Sequence, residues 1–307
     1  VEDDKLEDVY ALARRYELDC AIVGKMTDTG KYSVYKNGEL LADLPTGILG
    51  SCPEILRPSA EPKDLAERVA FDASTLACDD LGAEVLALIG CPNGHSKHEI
   101  WEQYDSVVQL HTIEGNGEPV AIVEVPETKR ACALTMEAEP YKCYTDPYIG
   151  SAETMALALR GLWLTGTDAL GMTNCLNFAS PEHPENFWEL SESVRGLADT
   201  CTALECPVVS GNVSLYNETA KGGIYPTPLV VVAGLATDYT KTLRAGRTEA
   251  GDILYLVGKK EGSLGASRLQ VAKNGRPHGK TVEPCWEAEK AFRDRALATA
   301  REGLAKS

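Results

Sequence analysis

The sequence lacks several features that define whole classes of protein. It has no C-x-x-C pair and no run of the roughly 18 apolar residues that cross a membrane. Its acidic start, VEDDKLEDVY, has no apolar core of a secretory leader. Basic residues are also scarce, since 30 Lys and Arg stand against 46 Asp and Glu, a formal charge of −16. We therefore expect a cytoplasmic protein that binds neither nucleic acid nor membrane, because both favour basic surfaces.

Ten cysteines are present, but their spacing is not that of a disulfide framework or a zinc site. The closest pair, Cys201 and Cys206, is separated by four residues, whereas zinc ligands usually come in tighter Cys and His pairs. The five histidines show no metal-ligand spacing either. We interpret the cysteines as reduced thiols that act as small hydrophobic residues of the protein interior.

The length of 307 residues predicts about two domains, and residues 1–60 have the pattern of the tail of one domain followed by a linker. A helix is expected over 2–18 and a short buried strand over 20–24. Asn37-Gly38, between the strand-like runs KYSVYK and ELLAD, predicts a hairpin because both turn positions tolerate positive φ. Prolines follow the hairpin, as is typical of a linker.

Residues 61–245 are expected to form an α/β or α+β domain, because helical and strand-like patterns alternate. Ser151 is the expected N-cap of an amphipathic helix over 151–165. Residues 187–204 carry the most regular helical spacing, and residues 63–90 also have a helical pattern. Strand-like runs lie at 107–113, 119–125, 130–136, 169–174, 207–210 and 226–236.

Residues 246–307 have the pattern of the beginning of a further domain. A turn-rich connector precedes the apolar run DILYLV, which predicts a strand over 251–258. An amphipathic helix is expected over 284–304. The sequence begins with Val1 and stops soon after this helix, so we expect a piece of a longer protein.

Residues 207–218, PVVSGNVSLYNE, are the first candidate for a ligand site. A predicted strand leads into a predicted turn at Gly211, which permits close backbone approach and an anion nest of successive N–H groups. Asn212 offers an oxygen of the kind that Mg²⁺ prefers, Ser214 offers a hydroxyl, and Asn217 is interpreted as a cap at the end of the turn. An ordinary strand–turn–strand connection accounts for the same residues, so residue types alone leave both interpretations open.

Residues 173–185, TNCLNFASPEHPE, are a second candidate, because Asn174 and Asn177 follow a predicted strand, where α/β folds place ligand loops. A capped loop before the next helix is the alternative.

Other segments that resemble functional motifs do not have the required residues. VGKKEGSLGAS lacks the residue order of a phosphate-binding P-loop. Cys143 and Cys175 have no obvious base, so nothing supports nucleophilic catalysis.

Four motifs resemble those of one known family, the phosphoribosylformylglycinamidine synthases of the aminoimidazole ribonucleotide synthetase superfamily. They are EQYDSVV at 102–108, DPYIGS at 146–151, LNF-x-x-PE-x-PE at 176–185 and SGNVSLYNE at 210–218. The last motif is the most specific, and the whole chain resembles the second half of these enzymes.

The resemblance implies an α+β or α/β fold and three regions. Residues 1–60 resemble the tail of a first-repeat C-terminal domain with a linker. Residues 61–245 resemble the second-repeat ATP-binding-type domain, in which helices pack on a mixed sheet. Residues 246–307 resemble the start of the second-repeat C-terminal domain, so both flanking α/β domains are expected to be partial.

The resemblance also implies a reaction, the ATP-dependent amidation of formylglycinamide ribonucleotide. The formyl amide oxygen is phosphorylated to an iminophosphate, and ammonia from a glutaminase subunit or domain displaces phosphate. In the family the active site lies between two ATP-binding-type domains paired sheet to sheet, and the first of them, absent here, carries the catalytic His. In this chain the resemblance assigns ATP contacts to Asn174 and Gly211, Mg²⁺ to Asn212 and substrate to Ser214, with no catalytic residue.

Four positions in three places depart from the family pattern. Asn174 stands where Asp is expected, Gly161 follows Arg160 in place of Asn, and Ala179-Ser180 replaces Gly-Asn. Two alternatives remain, namely a superfamily kinase of the thiamine-phosphate or selenophosphate type and a non-catalytic nucleotide-binding module. The kinases place acidic metal-binding motifs in one domain, and no such cluster lies beside Gly211. We also expect the sheet to pair with a second copy of the chain when the first-repeat domain is absent.

Overall fold

The computed structural model describes residues 1–51, 55–258 and 262–306. The chain divides into two compact units, Val1–Leu56 and Arg57–Ser307. Residues 52–54 of the predicted linker, and 259–261 in the segment compared with the P-loop pattern, lie outside the described residues. No helix in the described part is long and apolar enough to cross a membrane.

The first unit consists of a helix and a β-hairpin, as predicted. A 3₁₀ turn precedes the helix, and a short helix follows the hairpin. In order, the elements are the 3₁₀ turn Asp3–Lys5, α1 Leu6–Arg15, β1 Lys31–Lys36, β2 Glu39–Pro45 and α2 Thr46–Gly50. Asn37 and Gly38 have φ of 52° and 85°, the left-handed values that a two-residue hairpin turn requires.

Two apolar segments predicted as strands, the first of them as a buried one, form no strand, so both predictions are wrong. Residues 20–24 and 251–258 are irregular, and Val23 is 101% exposed and Leu254 83% exposed. A strand needs a neighbouring strand to pair its backbone N–H and C=O groups. No sheet among the described residues includes either segment, so their hydrophobicity alone does not make them strands.

The second unit contains a six-stranded mixed sheet. Its strands are β3 Thr112–Glu114, β4 Ala121–Glu124, β5 Ala131–Glu137, β6 Ala169–Asn177, β7 Val208–Ser214 and β10 Thr227–Ala236. The strand order is β3-β4-β5-β10-β6-β7. Neighbouring strands are antiparallel except β6 and β7, which are parallel. Between β7 and β10 lies a small separate ribbon of two strands, β8 Glu218–Thr219 and β9 Gly222–Gly223.

Most predicted strands of this sheet are confirmed, but residues 107–113 are mainly not a strand. They contain a 3₁₀ turn, Val108–Leu110. Gln109 and Leu110 have φ of 58° and 61°, which no extended strand adopts. Only the end of this run, from Thr112, joins the sheet.

Helices connect and cover the strands of the second unit. They are α3 Leu65–Val69, α4 Leu81–Gly90, α5 His98–Trp101, α6 Pro140–Thr145, α7 Pro147–Leu164, α8 Pro184–Ala203, α9 Arg268–Asn274 and α10 Trp286–Arg301, with 3₁₀ turns at Ala73–Leu76 and Tyr239–Lys241. The helical pattern of 63–90 is broken into shorter pieces because Asp72 and Asp80 each cap a new element.

The predicted N-cap of α7 is wrong. Ser151 lies within the helix, and the cap is Asp146, whose Oδ1 accepts a hydrogen bond from the Ile149 N–H at 2.9 Å. Pro147 occupies the first helical position, where its fixed φ and missing N–H are tolerated. The helix therefore begins one turn earlier than its apolar spacing indicates.

One face of the sheet packs against α7 and α8, and this contact forms the core of the unit. Met155, Leu159, Leu162 and Trp163, which were predicted to share a helix face, are each no more than 1% exposed. Strand β10 contributes alternate residues to the same core, as expected for side chains that point to opposite faces of a sheet.

The interpretation of the cysteines as core residues is confirmed in part. Cys143, Cys201 and Cys206 are buried free thiols. Burial raises the pKa of Cys143 and Cys206 to about 12 and that of Cys201 to about 11, so all three remain protonated at neutral pH. The interpretation is wrong for Cys20, Cys78 and Cys285, which are exposed, and Cys52 lies outside the described residues.

Helix α10 packs on α7 and extends the same core. Leu297 and Ala300 are buried, and a Cβ on Gly166 would lie 2.3 Å from Cβ of Ala300. Arg160 of α7 forms an ion pair with Glu289 of α10. The compact unit therefore continues across residue 246, and the domain boundary predicted there stays a prediction.

Leu159→Ala is expected to lower the free energy of unfolding by about 2–5 kcal/mol, because removing a fully buried leucine leaves a cavity. Leu164→Ala in the same helix is the matched control, since Leu164 is 56% exposed, and we expect a loss of about 0.5 kcal/mol or less. Chemical denaturation of both variants measures the difference. Equal losses would contradict the packing of α7 against the sheet.

Candidate functional site

The residues predicted to bind ligands lie on two neighbouring strands at one edge of the sheet. β6 and β7 run parallel, with Asn174 opposite Gly211 and Asn177 opposite Ser214. Helix α8 connects the two strands, as parallel pairing requires a crossover. Because of this pairing, two sequence segments about 37 residues apart form one surface, as the hydrogen bond between Ser210 and Thr173 shows.

The turn predicted at Gly211 and Asn212 is wrong. Both residues lie inside β7, and Asn174 and Asn177 lie inside β6 rather than after it. Successive N–H groups of a strand point in alternating directions, so the predicted anion nest is not formed. Both segments are strands because their backbone groups pair with each other in a parallel ladder. The turn-forming residues of the local sequence do not reveal this distant pairing.

Gly211 leaves room for the side chain of Asn174. A Cβ at position 211 would lie 2.5 Å from Oδ1 of Asn174, far below a normal contact distance. Asn174 is two residues from both Met172 and Leu176, which are buried in the core. Residues two apart in a strand point to the same face, so Asn174 lies on the helix-covered face of β6. The predicted ATP-binding pair therefore forms one contact at the edge of this face.

Asn212 and Ser214 lie on the opposite, open face of the sheet. On this face Ser210 Oγ donates a hydrogen bond to Thr173 Oγ1 at 2.7 Å, and Cys175 lies opposite Asn212. The four predicted residues are therefore brought to one edge but divided between two faces. Thr173, Cys175 and Ser210 were missed as neighbours of Asn212, and strand alternation with the parallel register is the signal that identifies them.

The surroundings of Asn212 carry no acidic cluster. Among the described residues, no group of three His, Cys, Asp or Glu side chains is arranged to hold a metal ion. Asn212 is exposed, and its carboxamide oxygen fits Mg²⁺ as a single neutral ligand. Any further ligands would come from phosphate oxygens, water or another polypeptide segment.

The loop after β7 is tied to the loop after β6. Asn217 Nδ2 donates hydrogen bonds to the carbonyl oxygens of Ser214 at 2.7 Å and Phe178 at 3.1 Å, so it caps the end of β7 rather than the end of the predicted turn. The carboxylate of Glu218 accepts a hydrogen bond from the Ser180 N–H at 3.0 Å. These contacts fix the ends of both strands.

A cavity of about 640 Å³ opens at the start of α8, beside these loops. His183, Asn186 and Glu218 are among the residues that line it, and none of the four predicted ligand residues does. The candidate site is therefore an exposed strand edge rather than an enclosed pocket. A surface of this kind needs a second surface to exclude water from a bound ligand.

The central part of the chain matches a known family. Residues 117–236 match the profile described as "AIR synthase related protein, N-terminal domain". The whole chain is 36% identical over 309 residues to the phosphoribosylformylglycinamidine synthase subunit PurL of Thermoanaerobacter sp. strain X514. That match covers 100% of this chain and 42% of the relative, so the chain spans about two fifths of the length of this relative.

Solved structures show the same fold. PurL from Thermotoga maritima complexed with FGAR matches 99% of this chain and 42% of that chain, with a TM-score of 0.66 and 20% identity. The complex with ATP matches 79% of this chain and 37% of that chain, with a TM-score of 0.61 and 23% identity. The recognition from sequence motifs and the predicted fold class are both confirmed.

The contact between Gly211 and Asn174 is testable by a double-mutant cycle. Gly211→Ala is expected to lower the free energy of unfolding by about 1–3 kcal/mol, because its methyl group overpacks the Asn174 carboxamide. In an Asn174→Ala background the same change is expected to cost nearly nothing, since the clashing atoms are gone. Denaturation curves of the three variants measure the coupling. Additive losses would show that the two side chains do not touch.

Proposed function

We propose that this chain belongs to a phosphoribosylformylglycinamidine synthase and carries its second ATP-binding-type domain at 61–245. Residues 1–60 and 246–307 are then parts of the two C-terminal-type domains. The activity is the ATP-dependent conversion of formylglycinamide ribonucleotide to the amidine in purine biosynthesis, a carbon–nitrogen ligase reaction with glutamine as the amido donor. The similarity to PurL along the whole chain supports this proposal.

The observation that carries the proposal is the convergence of the specific motif residues on one exposed edge. Asn174 and Gly211 are in contact, and Asn212 and Ser214 follow on the other face of β7. We assign ATP binding to Asn174 and Gly211 and substrate binding to Ser214.

Magnesium is the proposed metal, and Asn212 is its ligand in this chain. A bound Mg²⁺ offsets the charge of the ATP phosphates and orients them. The lack of an acidic cluster among the described residues fits a residue that supplies one oxygen while the phosphates and a second domain supply the rest. Asn174 at the expected position of Asp agrees with this picture, since it adds no charge.

The chain is proposed to bind and orient ligands without supplying the catalytic groups. Phosphoryl transfer depends on positioning and charge stabilisation, and the candidate edge has no lysine or histidine among its four residues. The catalytic residues are assigned to the first-repeat domain of the complete enzyme. A glutaminase subunit or domain is the proposed source of ammonia, in a cytoplasmic enzyme.

The open face of the sheet is the proposed surface for a like domain. Its apolar side chains, which alternate with those in the core, are Cys132, Leu134, Met136, Leu229, Val231, Ala233 and Leu235. Met136 is 64% exposed. The other six are half-buried, and apolar side chains grouped on one face are typical of an interaction surface. We propose that the first-repeat ATP-binding-type domain covers it in the complete enzyme and that a second copy covers it when that domain is absent.

Asn212→Ala is expected to lower kcat/KM for ATP by about 10²- to 10³-fold, as is typical when one preorganised charge-stabilising contact is lost. The measurement uses the natural polypeptide that carries this sequence, with its ammonia source, at saturating Mg²⁺. Asn274→Ala is the matched control, because Asn274 is an exposed asparagine at the end of α9. Similar rates in both variants, or an Asn212 variant that is unfolded by its melting curve, would contradict the assignment.

Residues 1–307 alone are expected to self-associate through the open face at tens of micromolar, in a two-fold pair. Val231→Lys is expected to give a monomer, because it places a charge at the centre of the apolar face. Leu164→Lys is the control, since it adds the same charge at an exposed leucine on α7. Light scattering measures the masses. A monomeric unsubstituted chain, or dissociation by both variants, would contradict the proposed surface.

A further inference from the structure

The hydroxyl of Ser214 is in contact with the carboxamide of Asn217. Asn217 Nδ2 lies 3.2 Å from Ser214 Oγ, and Asn217 Oδ1 lies 3.4 Å from the same oxygen. The carboxamide oxygen can therefore accept the hydroxyl proton, and one of its two N–H groups is shared between the carbonyl and the hydroxyl oxygen of Ser214. The direction in which Ser214 presents its hydroxyl therefore depends on Asn217.

Asn217 is itself anchored to the backbone of both strand ends. Its Nδ2 donates to the carbonyl oxygens of Ser214 and Phe178 at 2.7 and 3.1 Å, and its backbone N–H donates to the Phe178 carbonyl at 3.1 Å. The Phe178 N–H donates in turn to the Ser214 carbonyl at 3.0 Å. Phe178 is only 2% exposed, so the carboxamide is fixed against the core.

Tyr216, the second of the two residues between Ser214 and Asn217, adopts an unfavourable backbone conformation. Tyr216 has a φ of 62°. This backbone conformation is unfavourable for a residue with a bulky side chain, so it persists only where surrounding contacts impose it. The hydrogen bonds of the neighbouring Asn217 to the carbonyl oxygens of Ser214 and Phe178 are such contacts. The Tyr216 hydroxyl also donates to Glu182 at 3.1 Å.

A second, independent contact holds the same loop without touching Ser214. The carboxylate of Glu218 accepts a hydrogen bond from the Ser180 N–H at 3.0 Å. Loss of the Asn217 side chain therefore leaves the loop attached to the segment after β6. Its main effect falls on the position and orientation of the Ser214 hydroxyl.

We propose that Asn217 is a positioning residue for substrate binding, which sets where the Ser214 hydroxyl meets formylglycinamide ribonucleotide. This inference rests on the proposed function, in which Ser214 contacts that substrate. Asn217 acts through Ser214 and touches no ligand itself. Its removal is thus expected to affect the substrate selectively, because the ATP-binding pair lies on the other face of the strands.

The test is a double-mutant cycle of Ser214→Ala and Asn217→Ala in the natural polypeptide that carries this sequence. Both single variants are expected to raise KM for formylglycinamide ribonucleotide about tenfold, since misplacing a binding group by a fraction of an ångström is costly. The double variant is expected to match Ser214→Ala alone. KM for ATP is expected to change by less than about twofold, because Asn174 and Gly211 are not disturbed. Asn217→Asp keeps the side-chain volume but has no side-chain N–H to donate. Its KM for formylglycinamide ribonucleotide is expected to resemble that of Asn217→Ala.

Each other outcome overturns a defined part of the argument. If Ser214→Ala raises KM and Asn217→Ala does not, the positioning role is wrong and the proposed function stands. Multiplicative effects in the double variant, or a fall in melting temperature of more than about 10 °C in both Asn217 variants, would identify a general structural role instead. If Ser214→Ala leaves KM unchanged, the substrate assignment of Ser214 fails, and the positioning role fails with it.

Discussion

The parallel pairing of β6 with β7 is the interaction on which the candidate site depends. It brings Asn174 against Gly211 and Asn177 against Ser214, although helix α8 separates these pairs in sequence. The packing of α8 and α7 against the sheet holds the crossover in place. Without this pairing, the two motifs would be separate loops with ordinary capping residues.

Strand alternation then determines what each motif residue contributes. Asn174 and Gly211 share the helix-covered face, whereas Asn212 and Ser214 share the open face with Thr173 and Cys175. Because neighbours in sequence point to opposite faces, a motif as compact as SGNVS serves two surfaces at once. The glycine makes room for the side chain opposite it and forms no turn.

The site is neutral and open, although the chain carries a formal charge of −16. Among the described residues no acidic cluster lies ready for a metal, and the open face presents apolar side chains such as Met136 and Val231. Both features have the same consequence. In the function proposed above, the chain would offer binding groups and a surface for a partner domain, and the charge and enclosure needed for phosphoryl transfer would come from elsewhere.

The amino-acid sequence by itself determined the helix that carries Leu159, the hairpin at Asn37-Gly38, the buried strand β10 and the identity of the motif residues, because these depend on local periodicity and residue chemistry. It did not determine that Gly211 and Asn212 lie in a strand, that Asp146 rather than Ser151 caps α7, or that residues 251–258 form no strand. Only the tertiary structure decided these features. A strand is stable only when its backbone forms hydrogen bonds with another strand that is distant in sequence. Hydrophobicity along the chain does not show whether such a partner strand is present.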